Sequence, residues 1–171
     1  MLQGIIAGKG GGGVITINSM LGQLAMSLGH GVISSETHGM AMRGGSVSTS
    51  IKIGSFVSPS IESGNAAFIL SLDEDEAVRN IQYLKEGGLC IINTSGTRPR
   101  IIPDEYRVDT IDAVGMACSM FNRSILAGQI MIGRLIMYFP VVFPQDESLA
   151  ILSSMPRSFP DAIKAGFLHG K

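Results

Sequence analysis

The first 30 residues constrain the fold more than any others. Residues 2–7, LQGIIA, are a short apolar run, the length of a buried strand and too short for a core helix. Gly8-Lys9-Gly10-Gly11-Gly12-Gly13 follows. Beyond it the apolar residues fall at Val14, Ile17, Leu21, Leu24, Ala25 and Leu28. That is the spacing of an amphipathic helix, and Gly29 and Gly31 can stop it. Strand, tight turn and helix in this order open a β-α-β unit.

The alternation continues along the chain. Residues 32–35 read as a second strand. The segment SETHGMAMRGGS, residues 35–46, has neither period and is expected to be a loop. SVSTSIKI, residues 46–53, alternates, with Val47, Thr49, Ile51 and Ile53 on one side. Residues 56–65 carry Pro59 and Gly64 and read as loop, and residues 67–72 as a third apolar strand. Asp73 or Asp75 can cap a helix with Ala77, Val78, Ile81 and Leu84 on its apolar side, expected to end at Gly87-Gly88. Residues 89–93 form another buried strand, TSGTRPRIIP a loop, and residues 108–113 an edge strand. Residues 119–138 give the longest helical stretch. A helix near 146–154, a break at Pro156 and a last amphipathic turn or two complete the chain. Helices that alternate with apolar strands predict an α/β fold: a single three-layer, Rossmann-like domain over residues 1–171 with a mostly parallel sheet. No internal repeat or linker interrupts it.

Composition excludes several classes. The net charge of −1 offers no electrostatic attraction to nucleic acid or an acidic membrane. Hydrophobic residues at 45% against 16% charged leave apolar surface for a partner chain to cover. Two cysteines, Cys90 and Cys118, lack CxxC spacing. They are too few for an iron–sulfur cluster, which needs four ligands, so both are expected to be core thiols and no metal site is assigned. The N-terminus lacks the basic region of a signal peptide. The other long apolar stretch, residues 125–143, contains Gln129, Arg134 and Pro140. An arginine near a helix centre costs about 2.5–3.5 kcal/mol on insertion scales, so a core or interface helix is expected there and the protein is read as cytoplasmic.

The glycine turn satisfies G-x-G-x-x-G through Gly8, Gly10 and Gly13, with Gly11 between them. Glycines permit a tight turn and close backbone approach, and the following helix N-terminus offers free N–H groups to an anion. Glu36 lies about 20 residues past Gly13, where a ribose-binding acid sits in a dinucleotide site. A run of glycines matches many patterns, however. Dinucleotide binding, another anionic ligand, and packing alone all stay open. A phosphate-binding P-loop does not, because Val14 stands where that motif needs Lys after its last glycine.

The second unusual stretch packs Glu36, Thr37, His38, Arg43, Gly44, Gly45 and Ser46 beyond a strand end, where α/β folds bind ligands. His38 can carry a proton but has no Ser, Cys or metal partner in the pattern, so no catalytic residue is assigned. Arg43 can fork onto a carboxylate or phosphate, or bridge Glu36 across the loop.

Together the two stretches resemble the gamma domain of 2-oxoacid:ferredoxin oxidoreductases, most nearly the small beta subunit of the indolepyruvate enzyme. That family's G-x-G-G-Q-G is matched by Gly8, Gly10, Gly11 and Gly13. Its S-E-x-H-G-M-A-x-R-G-G-S-V is matched by Ser35, Glu36, residues 38–41 and residues 43–47. Gly12 stands where the family carries Gln, and Met42 where Gln is common. The resemblance implies a non-catalytic subunit of an enzyme that decarboxylates a 2-oxoacid oxidatively to an acyl-CoA. Thiamine diphosphate, iron–sulfur clusters and coenzyme A would then belong to the complex, none of them held by this chain alone. Larger catalytic subunits would be direct partners, and ferredoxin an indirect one. The glycine turn at Gly8, Gly10, Gly11 and Gly13 would be a candidate for facing coenzyme A or another anion. The segment from Glu36 to Ser46 would face partner or ligand. The other reading is a free-standing Rossmann-type dinucleotide-binding protein or dehydrogenase, for which these residues leave no separate substrate domain.

Overall fold

A computed structural model describes residues 1–38, 44–99 and 101–168, with Thr37 and His38 described by backbone alone. Six strands form one sheet: β1 (Leu2–Lys9), β2 (Val32–His38), β3 (Ser46–Ile53), β4 (Ala66–Ser71), β5 (Leu84–Asn93) and β6 (Arg107–Ile111), in the order β2-β3-β1-β4-β5-β6. β1, β4, β5 and β6 pair in parallel, while β3 runs antiparallel to both β1 and β2. β2 therefore points the same way as β1, and β3 alone runs against the rest. The expected mostly parallel sheet is present, with one reversed strand inserted into its first β-α-β unit.

Helices α1 (Val14–Ser27), α3 (Ala113–Phe121), α4 (Ala127–Tyr138), α5 (Gln145–Ser154) and α6 (Pro160–Leu168) cover one face. There Ile6, Ile51, Phe68, Leu70 and Ile91 meet Ile17, Leu21, Leu24, Ile130 and Ile163. The short α2 (Glu74–Asn80) covers the other face, where Ile5, Ala7, Ile69, Cys90 and Ile92 pack with Ala77 and Ile102. Both faces of the central strands are thus buried, which is why β1, β4 and β5 read as continuous apolar runs in the sequence.

Four expectations need correction. Residues 36–38 are strand, not loop: Glu36, Thr37 and His38 pair with Thr49, Ser48 and Val47. An edge strand with an exposed side can be polar throughout, and that hides it from a pattern reading. α2 ends at Asn80, a 3-10 turn (Ile81–Tyr83) follows, and Leu84 to Gly88 already belong to β5. The helix expected over 119–138 is two helices. Asn122 adopts φ 51°, ends α3 by donating its N–H to the Cys118 carbonyl, and turns the chain into a 3-10 turn (Ser124–Leu126) before α4. Finally, Cys118 is exposed on α3, and only Cys90 is a core thiol.

Candidate functional site

The chain leaves β1 toward one face of the sheet, through α1. It leaves the neighbouring, parallel β4 toward the other, through α2. Where two adjacent parallel strands send their connections to opposite sides, a crevice opens at their C-terminal ends. The glycine turn lies in that crevice.

The turn is shaped by its own backbone. Gly12 donates its N–H to the Lys9 carbonyl at 2.9 Å. Gly11 and Gly13 sit at φ 91° and 94°, a region that strains any residue with a side chain. Gly8 is needed for another reason: a Cβ there would press on Val14 and Leu72 at 2.9 and 3.1 Å. Gly13 caps α1 without a side-chain bond, so the first N–H groups of α1 stay free to face the crevice. Lys9, beside the turn, pairs with Asp73 at 2.7 Å and Asp75 at 3.7 Å. The hydrogen bond and charge of Asp73 hold the Lys9 ammonium above its ordinary pKa.

Gly10, Gly44 and Gly45 bring the two sequence motifs together. Gly10 donates to the Gly45 carbonyl at 2.8 Å, and Gly44 donates to the Gly10 carbonyl at 3.4 Å. Ser46, the next residue, donates its hydroxyl to Glu76 on α2 at 2.5 Å. Arg43 lies outside the described residues. Glu36 is on β2 and exposed. It does not approach the turn as a ribose-binding acid would, because β3 separates β2 from β1, which puts two inter-strand spacings, about 9–10 Å, between the strands.

Beside the turn a pocket of about 570 Å³ is lined by Gly11, Thr16, Arg123, Gln129, Arg157 and Ser158, among others. Sequence reading missed the last four, which lie more than 100 residues from the turn. Their local signals are slight, an arginine after Asn122 and another after a proline. Each is held by the fold. Arg123 lies over the Phe159 ring at 5.9 Å. Arg157 has φ 64°. Gln129 accepts from the Phe159 N–H at 2.6 Å and donates to the Arg157 carbonyl at 3.0 Å. The hydroxyl of Ser158 is buried and without a hydrogen-bond partner. Two guanidinium groups, a free helix N-terminus and an orphaned hydroxyl suit a phosphorylated ligand. The apolar rim, Ile17, Met20, Ile125 and Leu126, suits a ligand with an organic body.

The family described as pyruvate ferredoxin/flavodoxin oxidoreductase matches residues 3–165. An indolepyruvate oxidoreductase subunit IorB of Archaeoglobus fulgidus is 37% identical over 106 residues, 62% of this chain and 51% of that protein. The chain spans about half the length of the curated relatives it matches. The keto/oxoacid ferredoxin oxidoreductase gamma subunit of Geobacter sulfurreducens superposes with a TM-score of 0.78 at 21% identity, over 98% of this chain and 96% of that one. The 2-oxoglutarate:ferredoxin oxidoreductase of Magnetococcus marinus, solved with 2-oxoglutarate, coenzyme A and succinyl-CoA bound, superposes with a TM-score of 0.77 at 17% identity. It does so over 97% of this chain but 30% of that one. At such identities the structural likeness speaks to the fold.

Proposed function

The chain belongs to the pyruvate ferredoxin/flavodoxin oxidoreductase family, and from that premise we propose that it is the gamma-type, non-catalytic part of a 2-oxoacid:ferredoxin oxidoreductase. The complex would decarboxylate a 2-oxoacid oxidatively and pass the acyl group to coenzyme A. The observation that carries this reading is the extent of the family match. It runs over residues 3–165 of these 171, which supports reading them as one gamma-type domain. Thiamine diphosphate and iron–sulfur clusters are then assigned to larger partner subunits. The two cysteines of these residues, against the four ligands a cluster takes, support that assignment.

Its share of the work is presentation. The glycine turn and the pocket beside it fit the phosphate end of coenzyme A. Gly11, Gly13, Thr16, Arg123 and Arg157 would hold it, and the chain performs no bond-making of its own. The segment from Glu36 to Ser46, Arg43 included, faces a partner subunit or coenzyme A in this reading. Among the described residues no helix is long and apolar enough to cross a membrane, and the site of action proposed is the cytoplasm.

Pull-down of the tagged chain under anaerobic conditions is expected to bring a larger subunit. The mixture should reduce an artificial acceptor only when a 2-oxoacid and coenzyme A are both present. Acceptor reduction that proceeds without this chain at the same coenzyme A requirement would remove the proposal. Calorimetry with NAD(H) checks the dehydrogenase alternative. The β3 insertion predicts no tight binding, and low-micromolar affinity lost in Glu36→Ala would reinstate it.

A further inference from the structure

β1 and β3 end their ladder at one rung, Lys9 opposite Ser46. The chain on one side of that rung is the glycine turn, and on the other side it is Gly44-Gly45. The turn and this segment exchange two backbone hydrogen bonds. Both residues of the rung are gripped by the same helical turn. Asp73, which also caps α2 by accepting from the N–H groups of Asp75 and Glu76, pairs with Lys9 at 2.7 Å. Glu76, only 1% exposed, accepts the Ser46 hydroxyl at 2.5 Å and the Arg79 guanidinium at 3.1 Å.

A carboxylate this buried is costly unless its lone pairs are filled. Ser46 fills one of them across 30 residues of sequence. Helix α2 packs on the opposite face of the sheet from α1 and the pocket, so it does not line the site itself.

We propose that the first turn of α2 is a clamp that sets the pose of the glycine turn, with Glu76 and Asp73 as positioning residues. By fixing Lys9 and Ser46, it makes the turn and the 44–46 segment one rigid unit. The proposal rests on the reading of the turn as a phosphate-facing site only for its effect on ligand. The mechanical coupling stands apart from that reading.

Amide exchange followed by NMR on the full chain tests the coupling. In the wild type the Gly10 and Gly12 amides are expected to be protected, because Gly10 donates to the Gly45 carbonyl and Gly12 to the Lys9 carbonyl. Ser46→Ala should speed their exchange about tenfold, the scale of one lost hydrogen bond, and leave the α4 amides unchanged. Ser46→Thr, which keeps the hydroxyl, should restore protection. Unaltered Gly10 exchange in Ser46→Ala overturns the clamp, and so does equal acceleration in α4, which would mean a general loosening. A coenzyme A titration on the same spectra forms a second arm. Ser46→Ala should weaken binding about tenfold while lowering the melting temperature by only about 2–4 °C, the scale of one lost hydrogen bond, again with rescue by Ser46→Thr. If coenzyme A fails to shift the Gly11 and Gly13 amides of the wild type while the exchange result holds, the ligand reading falls and the clamp stays. If coenzyme A binds and Ser46→Ala binds it equally well, the clamp does not position the site and the proposal is overturned.

Discussion

Burial separates the two cysteines that composition alone treats alike. Cys90 sits on β5 between the sheet and α2, fully enclosed. Loss of solvent is the main cause that pushes its thiol from an ordinary 9.0 up to about 12, with the charge of Arg98 opposing weakly. Cys118, on the outer side of α3, is exposed. A disulfide-exchange reagent at pH 8 is therefore expected to titrate one thiol in the native chain and two in denaturant. Cys118→Ser should abolish the native signal, and a native signal that survives it would contradict the burial of Cys90. The raised pKa has a second consequence. The folded chain keeps the Cys90 proton where the unfolded chain loses it. The stability that this provides is intact below pH 9 and drains away as pH rises from 9 toward 12. Cys90→Ala should flatten that alkaline slope in a denaturation series. The sequence shows which residues are cysteines, but exposure depends on how far round the helix each one falls. Both were expected in the core because free cysteine is among the most buried residue types, and the position of Cys118 around α3 puts it outside.

At the scale of elements, α4 and α6 approach so closely that two glycines are needed where they meet. A Cβ on Gly133 would strike the Ile163 carbonyl oxygen, and one on Gly166 the Ile130 carbonyl oxygen. Backbone meets backbone there, so neither obstacle can rotate away. Gly133→Ala and Gly166→Ala should each destabilise the chain by about 1–3 kcal/mol or more, the range for overpacked cores. Urea denaturation reads this directly, and Gly22→Ala, where the added methyl meets only Val32 at an ordinary 3.7 Å, serves as the comparison. The other fixed point of α4 is Arg134. It donates from Nε and Nη2 to Asp109 of β6 at 2.5 and 3.0 Å, and Tyr138 donates to the same carboxylate at 3.0 Å. Asp109→Ala would remove the paired carboxylate from a guanidinium only 7% exposed. A loss of about 3–5 kcal/mol is expected. A loss below about 1 kcal/mol would show that water reaches the pair.

These elements also mark how much of the fold was legible. β1, α1 and β4 could be read because their apolar periodicity is strong and their ends carry glycine or aspartate; Gly29, with φ 84°, does follow the Leu28 C-cap of α1 and turns the chain out of the helix. The length of β2 could not, because its polar residues follow no local rule. They are strand only because β3 lies beside them. The glycine turn was legible from composition and the Arg123–Arg157 wall was not, since nothing near those arginines announces that tertiary packing brings them to Gly11.

At the scale of the whole molecule, several exposed apolar side chains gather at one end of the sheet. At the C-terminal end of β1, around the crevice, Ile125 is 79% exposed, Val114 41% and Ile15 39%. Ile125 lines both the pocket of about 570 Å³ and a neighbouring one of about 400 Å³ with Gly11 and Gly12. Isolated exposed apolar residues mean little, but several around one candidate site fit a surface that another chain covers. Val57 provides a natural contrast. It is fully exposed, yet it follows the end of β3, and β3 runs against β1, so it lies toward the opposite end of the sheet. Neither side chain supports the core. Ile125→Asp and Val57→Asp should each leave the melting temperature of the isolated chain within the shift of a typical surface change, about 0.5 kcal/mol. Their effects on assembly should differ. Ile125→Asp places a carboxylate in a face that the partner would desolvate, beside the proposed phosphate site, and should sharply reduce recovery of the larger subunit in the pull-down. Val57→Asp should recover it normally. Equal recovery with both variants would place the interface elsewhere. Loss with Val57→Asp alone would move it to the opposite end of the sheet, away from the glycine turn.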